Sequence, residues 1–84
     1  MINLEVRKQL PFDSLVLDNQ SYDNSIIGLT FDGRVIYSYE LMVQELMSED
    51  DCDEQDAIDW IEYNTIRALP YFGNKAPLIV HEIL

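Results

Sequence analysis

Ile26-Ile27-Gly28-Leu29-Thr30-Phe31-Asp32-Gly33-Arg34-Val35-Ile36-Tyr37-Ser38 is the stretch on which the fold turns. Two apolar, β-prone runs flank Asp32-Gly33, and a two-residue Asp-Gly connection suits a type I′ turn. Such a turn needs positive φ at both central residues, which Gly adopts freely and Asp tolerates. The spacing therefore predicts a β-hairpin. Immediately afterwards the period changes: Tyr39, Met42, Val43, Leu46 and Met47 recur at helical spacing, with Ser38 placed to cap the first turn. Glu40, Gln44 and Ser48 fall on the opposite face, and Glu49-Asp50-Asp51 reads as the turn that ends this helix.

Downstream, Asp53 with Asp56 three residues on is a capping-box variant that opens a second helix. Its expected core stripe is Ala57, Trp60, Ile61 and Ala68, with Ile58 and Leu69 on the flank and Asn64 on the same stripe. Pro70 is expected to stop it, residues 71–77 to form a loop, and residues 78–84 to form a last strand. Upstream, Ile2, Leu4 and Val6 alternate with polar residues as in a half-buried strand. Leu15-Val16-Leu17 reads as a short strand, and residues 19–25 as polar loop. The predicted order is β-β-β-β-α-α-β. It describes one α+β domain over residues 1–84, a mainly antiparallel sheet with a two-helix hairpin packed on one face.

Composition narrows the function classes. No apolar run is long enough for a membrane span, and the amino-terminal residues lack a signal-peptide core, so a cytoplasmic address is expected. Cys52 is the only cysteine, which excludes an internal disulfide. The net charge of −11 is unevenly spread. Between Glu40 and Glu62 there are ten acids and no Lys or Arg, while the other 61 residues carry six acids and five bases. Such a field repels nucleic acid and anionic membranes and attracts basic surfaces, so the expected partner is a basic protein surface rather than nucleic acid or membrane.

A solvated face is the simplest account of an acidic run, but here it has a cost. Asp53/Asp56, Asp56/Asp59 and Asp59/Glu62 are like-charge i,i+3 pairs, together worth roughly 1 kcal/mol of repulsion. The first-turn acids recover part of this from the helix dipole. The acids also average one per roughly 3.5 Å along a helical rise, close to the spacing of about 3.4 Å along one DNA strand. A DNA-mimic role follows as one expectation. Glu45, Glu49, Asp50, Asp53, Asp56, Asp59 and Glu62 are the candidate partner-binding charges, with Tyr63 and Ile66 as candidate apolar anchors.

A calcium loop competes for the same residues. Asp51, Asp53, Asp59 and Glu62 fall at positions 1, 3, 9 and 12 of an EF-hand register, but Asp56 stands where Gly allows the sharp turn. Enzymatic readings are weaker. His81 lacks a second His or Cys for zinc, and Cys52 sits among acids that disfavour its thiolate. No phosphate loop or nucleophile elbow is present. A non-enzymatic protein without cofactor or bound metal is the expectation, and homodimerisation is compatible with it.

Residues 26–80 carry a resemblance. The Ile-Ile-Gly strand, the Tyr-bearing hairpin exit, the Leu-Met helix end, Asp53-Glu54-Gln55-Asp56-Ala57-Ile58 leading into Ile61-Glu62-Tyr63-Asn64, the Pro70-Tyr71 loop and Ala76-Pro77 form the pattern. It resembles small acidic proteins of unknown function encoded by bacteriophages and bacteria. Those proteins often carry Gly-Met where this chain has Asp51-Cys52. The resemblance implies a phage or mobile-element lineage and not a chemistry, and no catalytic residues come with it; inhibition of a host nucleic-acid-binding or defence protein is an expectation of the acidic hairpin.

Overall fold

The computed structural model describes residues 8–11, 13–17 and 19–83. Within them the chain is α+β, with a three-stranded mixed sheet in the order β1 (Ile26–Leu29), β2 (Val35–Ser38), β3 (Leu78–Val80). Two helices, α1 (Tyr39–Asp50) and α2 (Glu54–Trp60), lie between β2 and β3 in sequence. The strand expected at Ile2, Leu4 and Val6 lies outside the described residues.

The hairpin forms, but by a different turn. Gly33 has φ 88°, and Asp32 is not among the residues with positive φ. The Gly33 N–H donates to the Thr30 carbonyl (3.1 Å) and the Thr30 N–H to the Arg34 carbonyl (2.9 Å). This is a three-residue connection that needs one left-handed residue rather than two, so only Gly carries the unusual backbone. The Thr30 hydroxyl donates to the Asp32 carboxylate and accepts from the Arg34 N–H, which fixes the tip.

Leu15–Leu17 is not a strand. The Leu17 N–H donates to the Tyr37 hydroxyl (3.0 Å), so a side chain takes the place of a ladder partner while Leu17 itself is buried. The expected loop at 19–25 contains a 3-10 helix, Gln20–Ser25, capped by Asn19, whose side-chain oxygen accepts from the Ser21 N–H. Polar composition concealed this turn, which packs Tyr22 into the core.

The sheet is only partly antiparallel: β1 pairs with β2 antiparallel, whereas β2 pairs with β3 parallel. A parallel neighbour needs a long crossover, and the chain supplies one. Where a loop was expected after Pro70, 3-10 structure runs from Ile66 to Lys75 with a kink at Gly73 (φ 80°, ψ −151°). That additional pass brings Leu78 alongside Ile36 in the same direction. Pro70, lacking an N–H, is accommodated inside this irregular stretch rather than ending the helical path.

Register aligns Ile26, Tyr37 and Ile79 across the three strands. Against that row and Val35 pack Met42, Val43 and Leu46 of α1, together with Ala57, Ile61, Leu17 and Tyr22. Ser38 caps α1 as its position predicts, its hydroxyl accepting from the Leu41 N–H (3.2 Å). Asp53 caps α2, accepting from the Asp56 N–H (2.8 Å).

Beyond α2 the helix is not the straight one that the 3.6-residue period predicts. Residues Ile61–Thr65 form a π turn in which the Ile66 N–H bonds to the Ile61 carbonyl, five residues back. One extra residue in a turn rotates everything after it by about 100°. Ile66 and Leu69 consequently pack against the core, while Asn64 is exposed and donates to the Trp60 carbonyl (3.2 Å). Trp60, expected in the core, is 53% exposed.

Candidate functional site

The acidic residues occupy the outer faces of α1 and α2 because the apolar stripes turn the other way. Glu49, Asp50, Asp51, Asp53, Glu54, Asp56, Asp59 and Glu62 are exposed, and Glu40 and Glu45 are half-buried. Two groups result. Around the interhelical turn, Asp50, Asp56 and Asp53 are close enough to act on Cys52: burial, then these charges, push its thiol above the ordinary cysteine value. The Cys52 thiol donates to the Leu46 carbonyl at 3.7 Å, a structural rather than a reactive placement. Farther along, Asp59, Glu62 and Tyr63 line one shallow hollow together with Arg67. The Arg67 guanidinium lies 4.9 Å from the centroid of the Tyr63 ring.

Among the described residues, none of the eight exposed carboxylates is paired with Lys or Arg. Two of the bases are engaged away from the hairpin. Arg34 Nε donates to the Ala76 carbonyl (2.8 Å) and Lys75 Nζ to the Asp32 carbonyl, joining the hairpin tip to the entrance of β3.

The two candidate anchors part company. Tyr63 is 68% exposed, whereas Ile66, turned inward by the π turn, packs on the core and offers little to a partner. The calcium register does not form a loop: Asp53 caps α2, and Asp56 and Asp59 stand on the helix, Asp59 accepting from Gln55 (2.9 Å). No cluster of three or more His, Cys, Asp or Glu able to hold a metal ion exists among the described residues.

Sequence reasoning missed a second constellation beside the acidic face. Tyr39, on the first turn of α1, donates to Glu62 Oε1 (3.3 Å), and its ring lies 5.0 Å from that of His81. Desolvation, followed by the charges of Glu62, Glu40 and Asp59, holds the Tyr39 hydroxyl above the ordinary tyrosine value. His81 Nδ1 is 2.6 Å from Glu40 Oε2, and the Glu82 N–H donates to Glu40 Oε1 (2.8 Å). Hydrogen bonds from His81 and from that backbone N–H hold the Glu40 carboxyl below its usual range. These partners lie 41 or more positions apart, so no local spacing announces them. His81 thus fastens the chain after β3 to the start of α1.

Fold and site together define a small α+β domain whose helical face presents eight exposed carboxylates. No family model, curated protein or solved structure matches the chain. No helix among the described residues is long and apolar enough to cross a membrane.

Proposed function

We propose that this protein is a non-enzymatic interaction domain whose acidic helical hairpin docks on a basic protein surface. The observation that carries the reading is the set of eight exposed carboxylates with no Lys or Arg paired to any of them among the described residues. A surface shaped only for folding and solubility would intersperse the two signs. Glu45, Glu49, Asp50, Asp53, Asp56, Asp59 and Glu62 supply the field, and Tyr63 stands as an aromatic contact inside it. The nucleic-acid groove of a host or defence protein is the basic surface that suits such a field, and the protein acts there as a DNA mimic of phage origin in the cytoplasm.

Affinity capture from a bacterial lysate, with Asp56→Lys/Asp59→Lys/Glu62→Lys as control, tests this. Partners recovered by the parent and lost by the variant, with capture weakening as salt rises, are the expected result. Equal recovery by the variant sinks the proposal.

Self-association is a second reading, favoured by the exposed apolar side chains of Ile27, Leu29 and Phe31 along and just after β1, whose one strand neighbour among the described residues is β2. A strand edge of this kind invites pairing with a copy of itself. Sedimentation at rising protein concentration distinguishes it: a monomer throughout excludes it.

A further inference from the structure

Between α1 and α2 lies a groove of about 260 Å³ whose floor is Tyr39, Val43, Met47 and Ile58 and whose rim carries the carboxylates of Glu40 and Glu54. Its apolar floor distinguishes it from the open acidic face, where exposed carboxylates predominate. We propose that this groove seats an arginine side chain of the basic partner, the aliphatic stem lying on Met47 and Ile58 and the guanidinium meeting the rim carboxylates beside the Tyr39 ring. The proposal rests on the acidic-face reading and gives that face its point of specificity.

Three observations converge on this occupant. The groove is amphipathic in the sense that Arg is amphipathic: a long apolar stem with a planar cationic head. Its charge is complementary: Glu54 is exposed on the rim, no Lys or Arg lines the groove, and Glu40, which also holds His81 and the Glu82 N–H, adds a second carboxylate. Finally, the chain shows a related contact in a separate hollow. Arg67 lies over the Tyr63 ring, in a hollow that Asp59 and Glu62 also line, so the chain itself places a guanidinium against an aromatic ring near carboxylates. Tyr39, beside Glu40 in the groove and bonded to Glu62 outside it, offers a similar set of groups, with His81 rather than an arginine of the described residues next to its ring.

The test is an NMR titration of the full chain with an eight-residue peptide alternating arginine and leucine, and with its citrulline counterpart. Saturable shifts at the amides of residues 39–47 and 58, seen with arginine and absent with citrulline, are expected. Met47→Ala and Glu54→Gln should each weaken binding at least fivefold. Asp13→Asn, which removes an exposed charge outside both the groove and the acidic hairpin, should change it less than twofold. Thermal melts report whether Met47→Ala remains folded; Glu54→Gln, at an exposed position, carries the test if it does not. Shifts confined to the outer face at 53–62, with both variants binding as the parent does, overturn the groove and leave the acidic-face reading standing. Absence of binding to the arginine peptide at low salt also overturns the groove, whereas the acidic face falls only if the charge-reversed triple variant captures the same partners.

Discussion

Asp51 ends α1 with φ 51° and ψ 43°, a left-handed conformation that costs most L-residues about 1–2 kcal/mol and Asp somewhat less. Glycine is the residue best suited to that position. Asp51→Gly is expected to keep or raise the melting temperature, and it also removes one of the crowded acids. Asp51→Val should lower stability by about 1–2 kcal/mol in urea unfolding. Equal stability of the two variants would show that the backbone there is not left-handed. Glu40 gives a second residue-scale expectation. Its carboxyl is held below the usual carboxylate value, so its contribution is present at neutral pH and is lost only as pH falls through that depressed value. The Glu82 amide should therefore keep its hydrogen-bonded chemical shift at the pH where ordinary carboxyls titrate, and change below it. Glu40→Gln should abolish that acid transition. Both helix caps were legible as Ser38 and Asp53 because a cap is a local contract between residues three apart. The Glu40–His81 pairing was not, because proximity across the whole helical region leaves no mark in the local pattern.

At the scale of elements, the π turn decides which apolar residues matter. It turns Ile66 onto the core, while Trp60, which precedes it, is exposed on the outer face of α2 next to the fully buried Ile61. Ile61→Ala is expected to cost about 2–5 kcal/mol. The fluorescence of Trp60, the only tryptophan, should be quenched readily by iodide or acrylamide in the folded protein. A blue-shifted, protected tryptophan would contradict the outward placement of Trp60 on α2. The hairpin and α1 were readable because their periods, two and 3.6, are carried by strong apolar repeats. The path from Ile61 to Lys75 was not, since one inserted residue leaves composition unchanged while turning Asn64 outward and Ile66 inward. The direction of β3 escaped for a related reason: a three-residue strand looks the same read parallel or antiparallel, and only the helical stretch before it sets its sense.

For the whole molecule, charge is the quantity that conditions change most directly. With eight exposed carboxylates unpaired among the described residues, screening should relieve self-repulsion. Like-charge pairs along α2 sum to roughly 1 kcal/mol, and for a domain of this size that corresponds to a rise in Tm of up to about 4–8 °C. Sodium chloride from low to molar concentration should produce such a rise in calorimetry. A flat or falling Tm would mean that the face is already compensated. The acidic face was legible as a run of ten acids without a base. The groove beside it was not, because it exists only once α1 and α2 are set against each other.

The parallel pairing of β2 with β3 also has a consequence in time. Ile36 and Leu78 are partners although 42 positions separate them, so the central strand has its hairpin neighbour long before its other one. At translation rates of about 5–20 residues per second, that interval is roughly 2–8 s. Until residues 78–80 emerge, Val35 and Tyr37 sit in a nascent hairpin with one open edge, and the chain's window for wrong partners is set by the ribosome's pace. Closing the long loop, rather than forming the hairpin, is then the slow event of folding.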